Sequence, residues 1–232
     1  MLDFVAGIVS PFDYPERPGE IVVFANTVPY IEEAEAPDYL ELVSRYAFEH
    51  CTYVVSGLYS KNGYLCLALY DSKGRYIGEQ RAFSLSEQNQ DKFSVSDEMW
   101  IFDTGFCKLF MCVDEDIYND DVLAAAINKK NCDLIISSQY IHDDDFDLQN
   151  IINGPWWSAQ KFCRFVVHAN NKLSSIISPC SITKRRSYDG FLCQPSKDLP
   201  MASELYSRWL KYAKDTNYVR ALVPRKKKQR NI

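Results

Sequence analysis

Cys112 is the side chain of this sequence best placed for nucleophilic chemistry. It lies between an apolar run and a cluster of acids in the segment LFMCVDEDIYND. A free thiol with a pKa of about 8.5 is only a few per cent thiolate at neutral pH, so a catalytic cysteine needs a base or a cation beside it. Without such partners Cys112 would be an ordinary buried strand residue, as free cysteines commonly are.

Candidate partners for Cys112 lie nearby and further along the chain. In a strand Asp114 projects to the same side as Cys112, but a carboxylate raises a thiol pKa unless it acts as a base. His168, in FVVHAN, could form a Cys–His pair with Cys112. The alternative is a strand histidine that is hydrogen-bonded to a backbone carbonyl, since pairing in space cannot be read from a sequence.

Three further features have both a functional and a structural interpretation. Trp156 and Trp157 follow Gly154-Pro155 and could stack a ligand at a pocket mouth, or pack in the core or an interface. The acidic run HDDDFD could bind a hard cation, but it lacks the glycine turn and distal glutamate of a calcium loop, so we expect a solvated acidic loop. The eight cysteines include no C-x-x-C pair and only three histidines accompany them, so we expect neither a metal nor a cofactor.

Composition and charge limit the class of protein. The chain has 232 residues, of which 47% are hydrophobic, and a net charge of −5. Five of its 26 basic residues lie in RKKKQR near the C-terminus; without them 21 basic residues face 31 acidic ones. This acidic body argues against nucleic acid or an anionic membrane as partner. No apolar run is long enough for a membrane span, no secretory signal is visible, and we expect a cytoplasmic protein with reduced thiols.

The pattern of apolar residues predicts one α/β domain over residues 1–222 and a disordered basic tail over 223–232. IVVFA and KLFMCV read as buried strands, and YLCLALY pairs with RYIGEQRAFSL through the turn DSKG. PDYLELVSRYAFEH and NDDVLAAAINKKN read as helices. ASELYSRWLKYAKD reads as a final amphipathic helix.

In this order the segments resemble the carbon–nitrogen hydrolase (nitrilase/amidase) superfamily. EIVVFANTVP is similar to its strand that ends in Phe-Pro-Glu, NGYLCLALYDSKGRYIGEQRAFSL to its hairpin and Lys-x-x-Leu element, and WIFDTGFCKLFMCVDEDIYND to its nucleophile segment. The resemblance implies a four-layer α-β-β-α sandwich, assembly into a homodimer or higher oligomer, and a Glu-Lys-Cys catalytic set. The family's first helix would be shortened or missing, because SPFDYPERPGE holds three prolines.

Only one of the three catalytic positions matches. The general-base glutamate falls on Asn26, the lysine that stabilises the oxyanion falls on Ala82, and the nucleophile falls on Cys112, followed by Val113 and Asp114. We therefore expect a catalytically inactive binding or interaction module, with another protein or a small amide as ligand and Val113, Asp114, Trp156 and Trp157 as candidate binding residues. Two alternatives stay open: a divergent amidase, nitrilase or N-acyltransferase that uses Cys112, and an engineered origin of Asn26 and Ala82.

Overall fold

The computed structural model describes residues 3–9, 21–142, 150, 152–172, 174–177, 209–213 and 218–222. The proline-rich segment at 10–20, where the first helix was predicted to be shortened or missing, lies outside the described residues. The basic tail at 223–232 and most of the acidic run at 143–147 also lie outside them.

The described residues form helices and two β-sheets. The helices are α1 (Ala36–Glu49), α2 (Glu87–Gln90), α3 (Asp120–Ala124) and α4 (Trp157–Phe162), with a 3-10 turn at Asp114–Tyr118 and π-helical turns at Ala125–Lys129 and Ile152–Trp156. The strands are β1 (Asp3–Val9), β2 (Ile21–Phe24), β3 (Tyr53–Val55), β4 (Tyr59–Lys61), β5 (Tyr64–Tyr70), β6 (Tyr76–Arg81), β7 (Phe102–Asp103), β8 (Lys108–Val113), β9 (Leu134–Ser138), β10 (Phe165–Ala169), β11 (Ser175–Ile177), β12 (Trp209–Ala213) and β13 (Tyr218–Leu222).

Both sheets are mixed, which confirms the predicted α/β class. The first has the order β13-β12-β1-β2-β3-β5-β4, with β6 paired to β5; β1, β2 and β3 run parallel. The second has the order β11-β10-β9-β8-β7, and β8, β9 and β10 run parallel. The carboxyl ends of β8 and β9 therefore lie at the same edge of the second sheet.

The hairpin of β5 and β6 forms as predicted. Its turn contains Gly74 at a φ of 72°, and the carboxylate of Asp71 accepts hydrogen bonds from the backbone N–H groups of Lys73 and Arg75. An aspartate that binds the backbone two and four residues on is typical of a tight turn. This turn fixes the register in which Leu67 faces Gln80, and so places Ala82 one residue beyond β6.

The final helix predicted from ASELYSRWLKYAKD is wrong over its described part. Trp209–Ala213 is strand β12, which pairs antiparallel with β1 on one side and with β13 on the other. Pairing on both sides outweighs the local helical periodicity of this segment, because strand formation depends mainly on the neighbouring strands.

Buried side chains form three clusters, one between the two sheets and one on the outer side of each sheet. One cluster contains side chains of both sheets, including Val23 and Leu67 of the first and Met111 and Ile136 of the second. Another joins α1 to the opposite side of the first sheet. The third, which we call the helix-side cluster, joins the second sheet to α3 and α4 and comprises Phe110, Cys112, Ile117, Leu123, Ala126, Ile127, Cys132, Ile135, Ala159, Val166 and Ile177.

Within the part of the chain that the structure describes, no helix is both long enough and apolar enough to cross a bilayer.

Candidate functional site

A strained turn follows β8. The strand ends at Val113, and Asp114 adopts a φ of 54° before the chain enters the 3-10 turn. Positive φ is uncommon for residues other than glycine, although aspartate tolerates it better than most, and such strain is concentrated at functional sites. A sharp turn from a strand into a helix is a position from which α/β enzymes present a nucleophile. Asp114, and not Cys112, occupies that position here.

The Asp114 carboxylate is fully buried and holds the start of α2. Its Oδ2 accepts hydrogen bonds from the Ser86 backbone N–H at 2.8 Å, from the Ser86 hydroxyl at 2.9 Å and from the Asn89 side-chain amide at 2.9 Å. Among the described residues its Oδ1 has no hydrogen-bond partner. The side chain on the turn therefore binds the protein itself through one oxygen and leaves the other unpaired.

Asp116 also binds the segment that precedes α2 and joins it to the turn after β8. Its Oδ1 accepts from the backbone N–H groups of Phe83 and Ser84 at 2.8 and 2.7 Å, and its Oδ2 accepts from the Val113 N–H at 3.0 Å. Burial, with a contribution from Asp114, raises the pKa of Asp116 to about 8, against the effect of these three donors. Together the two aspartates hold residues 83–89 against the end of β8.

Cys112 lies inside β8, two residues before the turn. Its side chain is fully buried in the helix-side cluster, whereas Val113 belongs to the cluster between the two sheets. Burial raises the pKa of Cys112 well above its ordinary value, and Asp116 adds to the rise. The thiol is therefore protonated at neutral pH and shielded from solvent.

His168 does not pair with Cys112. In the second sheet Cys112 lies opposite Ser137, and Ser137 lies opposite His168, so one strand separates the two side chains. At a strand spacing of about 4.8 Å their backbones are about 10 Å apart. His168 Nδ1 is 3.0 Å from the Ser137 hydroxyl, and burial lowers the pKa of His168 to about 3. His168 is a neutral core residue.

Asn26 links the two sheets. Its amide nitrogen donates to the Ser138 hydroxyl at 2.8 Å and to the Gln139 carbonyl at 3.3 Å. Ser138 is the last residue of β9, and Gln139 follows it. Its carbonyl oxygen accepts from the Leu58 N–H at 2.6 Å. The close packing involves Gly57, where a Cβ would lie 2.6 Å from the Asn26 oxygen. An amide in this role cannot take a proton.

Ala82 places no charge in the protein interior. It is fully buried between the sheets, and its backbone bonds to Leu65 and Ser96. The preceding cation, Arg81, lies 4.5 Å from the centre of the Tyr64 ring and 3.5 Å from the Glu79 carboxylate. Arg81 is therefore engaged outside the interior and does not replace the family's lysine.

The two tryptophans differ in their surroundings. Trp156 packs against the helix-side cluster, and the Trp157 side chain is 51% exposed. A polar cleft of about 510 Å³ lies beside the turn after β8, and neither tryptophan lines it. Its described lining residues are Ser86, Glu87, Gln88, Gln90, Glu115, Tyr118, Gln139, Tyr140, Ile141, His142 and Asn150.

Sequence reasoning missed this cleft, although a clue was present. Glu115 and Tyr118 follow β8, and Gln139 and Tyr140 follow β9, two parallel strands. Ligands of open α/β sheets bind outside the carboxyl ends of such strands. Among the residues that the structure describes, no group of three or more His, Cys, Asp or Glu side chains is arranged to hold a metal ion.

Amidases are among the solved structures that share this arrangement of sheets and helices. A cysteine-to-alanine mutant of the Nesterenkonia AN1 amidase, of the nitrilase superfamily, matches with a TM-score of 0.60 and 11% identity over 75% of this chain and 82% of that one. A glutamate-to-glutamine mutant of the amidase from Nesterenkonia sp. AN1, with acrylamide added at its active site cysteine, gives 0.61 and 11% over 75% and 85%. This chain has the carbon–nitrogen hydrolase fold.

The likeness to these amidases is one of fold. No family profile and no curated protein matches the sequence. The roles assigned to Asn26, Ala82 and Cys112 by resemblance to the carbon–nitrogen hydrolases therefore depend on local geometry for their support.

Proposed function

We propose that this carbon–nitrogen hydrolase-like protein does not hydrolyse C–N bonds through a thiol and acts as a binding or interaction module. The observation that carries the proposal is the place of the thiol. Cys112 is fully buried inside β8 with a raised pKa, and the strained turn that follows carries Asp114. A cysteine nucleophile must be deprotonated and must be accessible to the substrate, and Cys112 is neither.

The surroundings of the turn support the same conclusion. Asn26 binds three protein groups where the resemblance places a base, and Ala82 brings no cation for an oxyanion. Asp114 and Asp116 hold residues 83–89 in place with hydrogen bonds. Catalytic residues act as a unit, so loss of two of three leaves little activity to the third.

Ammonia release from short aliphatic amides and nitriles tests the proposal directly. We expect no release above that of the heat-denatured protein. The alternative, a divergent amidase or nitrilase that uses Cys112, predicts release that is abolished by Cys112→Ala. Such a result would overturn the proposal.

Thiol alkylation resolved by peptide mass spectrometry gives an independent measurement. Cys132 is the matched control, because it is fully buried in the same helix-side cluster, and Cys51 and Cys163 are exposed references. We expect the exposed thiols to react in the native protein while Cys112 and Cys132 stay protected to the same extent. Reaction of Cys112 below about pH 7, with Cys132 still protected, would show a specifically activated thiol.

Assembly and compartment remain predictions. The homodimer or higher oligomer implied by the resemblance is tested by the mass of the protein in solution, measured by light scattering after size exclusion. The exposed Trp157 on α4 is the residue whose replacement by serine would report a helix-mediated interface.

A further inference from the structure

A small hollow lies beside β6, between this strand and the segment that follows α2. Its volume is about 60 Å³, and its lining residues are Glu79, Arg81, Ser96, Glu98 and Trp100. This volume is small for a whole ligand and suits one polar head group, with the rest of the ligand on the protein surface.

The buried side chain of Gln80 joins the two walls of this hollow. Its amide nitrogen donates to the backbone carbonyls of Arg81 and Glu98, both at 2.9 Å. Its oxygen accepts from the backbone N–H of Trp100 at 2.9 Å. One amide thus holds β6 and residues 98–100 together before any ligand binds, and a preformed site lowers the entropic cost of binding.

The carboxylate of Glu79 is already satisfied by donors of the protein. Its Oε2 accepts from the Tyr59 and Tyr76 hydroxyls at 3.0 and 3.1 Å and from the Lys61 ammonium at 2.7 Å. Burial acts to raise the pKa of Glu79, but the hydrogen bonds from Lys61 and Tyr59 lower it overall. Glu79 is therefore an ionised partner of Lys61, and it has little left to offer a ligand.

The other polar groups of the lining are not satisfied in this way. Arg81 packs against the Tyr64 ring, 4.5 Å from its centre, and beyond a 3.5 Å contact with Glu79 its guanidinium donates to none of the described residues. The Ser96 hydroxyl accepts from the Glu98 N–H at 3.1 Å and donates to none of them. The exposed carboxylate of Glu98 forms no ion pair with Arg81. One guanidinium and one carboxylate therefore line the same hollow without neutralising each other.

We propose that this hollow binds the zwitterionic head group of an α-amino acid. The guanidinium of Arg81 and the hydroxyl of Ser96 donate to its carboxylate, because the planar fork of arginine matches a carboxylate. The carboxylate of Glu98 accepts from its ammonium group, and the ring of Trp100, which is 55% exposed, packs against its side chain. The site does not depend on the proposed loss of activity at Cys112.

Three forms of phenylalanine test the need for both charges. Isothermal titration of the full chain compares phenylalanine with N-acetylphenylalanine, which lacks the ammonium group, and with phenylalaninamide, which lacks the carboxylate. We expect phenylalanine to bind at least about threefold more tightly than either analogue, the effect of one partly exposed charge pair. Equal binding of the three compounds, preference for an analogue, or no binding of phenylalanine by the folded protein would overturn the inference.

Two substitutions assign the two charges of the ligand to residues. Glu98→Gln should weaken phenylalanine about threefold and should not weaken N-acetylphenylalanine, which has no ammonium group. Arg81→Gln should weaken both of these acids and should not weaken phenylalaninamide. Arg45→Gln and Glu49→Gln are the matched controls, because Arg45 and Glu49 form an exposed ion pair of 4.0 Å on α1. Equal losses in the controls would show that phenylalanine binds the charged surface in general, which would overturn the site.

Replacement of Trp100 locates the ligand's side chain. Trp100→Leu should weaken phenylalanine about threefold more than alanine, since alanine keeps the head group but has no ring to pack. Trp157→Leu is the matched control, because Trp157 is 51% exposed and lies on α4. If the ratio of the two affinities is unchanged by Trp100→Leu, or changes equally in Trp157→Leu, the amino acid does not bind in this hollow.

Discussion

Replacement of Asn26 by aspartate tests whether this residue links the two sheets. Asn26→Asp keeps the shape of the side chain and the acceptor for Leu58 N–H, but it replaces the donor that faces Ser138 and Gln139. The Ser138 hydroxyl can turn to donate to the new oxygen, whereas the Gln139 carbonyl, 3.3 Å from the former donor, would face an acceptor. One buried group is thus left unsatisfied next to a buried charge.

The expected cost is about 2–4 kcal/mol of unfolding free energy at pH 8: an unsatisfied buried group costs about 1–3 kcal/mol, and a buried charge adds to this. The loss of unfolding free energy also depends on pH. Burial raises the folded-state pKa of the new carboxyl above its unfolded value of about 3.9, so the folded state binds the extra proton more tightly. Stability of the variant therefore falls as pH rises from about 4 through the folded pKa, and the protonated acid, which can donate like the amide, restores part of the loss at low pH.

Urea unfolding at about pH 5 and at about pH 8 measures both the loss of unfolding free energy and its dependence on pH. Asn131→Asp is the control, because Asn131 is exposed, and we expect it to change stability by less than about 0.5 kcal/mol at either pH. If Asn26→Asp behaves like Asn131→Asp at both pH values, the amide of Asn26 does not hold the sheets together and the reasoning is refuted.

Three further changes probe the same region by urea unfolding. Asp114→Ala should cost about 2–4 kcal/mol, because three donors lose their acceptor while the positive φ remains; a loss under about 0.5 kcal/mol would contradict the role given to this carboxylate. Gly57→Ala should cost about 1–3 kcal/mol, since its Cβ would lie 2.6 Å from the Asn26 oxygen and 3.1 Å from the Tyr39 hydroxyl; unchanged stability would show that this contact relaxes freely. The lowered pKa of His168 means that the unfolded chain binds its proton first, so the protein loses stability as pH falls below about 6.5, by up to about 1.4 kcal/mol per pH unit from this residue; His168→Leu should flatten that slope, and an unchanged slope would place the acid sensitivity elsewhere.

The parts of the fold that sequence predicted are those set by local chemistry. The hairpin of β5 and β6 follows from the Asp71–Gly74 turn, and its register put Ala82 at the buried position beyond β6. The burial of β8 follows from its apolar run. In each case a few neighbouring residues determine the result, so a short segment contains the information.

The parts that sequence did not predict depend on partners far along the chain. Trp209–Ala213 has a helical pattern, but pairing with β1 makes it a strand. The end of β8 is set by its register with β9, in which Val113 lies opposite Ser138. That register, invisible in LFMCVDEDIYND alone, puts Cys112 inside the strand and the turn at Asp114. The cleft likewise requires α2, the turn after β8, the chain after β9 and Asn150, which meet only in the folded chain.

The backbone strain at Asp114 is offset by the contacts around the turn. Positive φ at a non-glycine residue costs about 1–3 kcal/mol and survives only where the surroundings over-determine it. Here the surroundings do so from both sides, since Asp116 binds the N–H of Val113 just before the turn and Asp114 binds Ser86 and Asn89 across it. Three hydrogen bonds to a buried carboxylate offset strain of that size. The geometry of the turn after β8 is thus maintained by two structural carboxylates, those of Asp114 and Asp116.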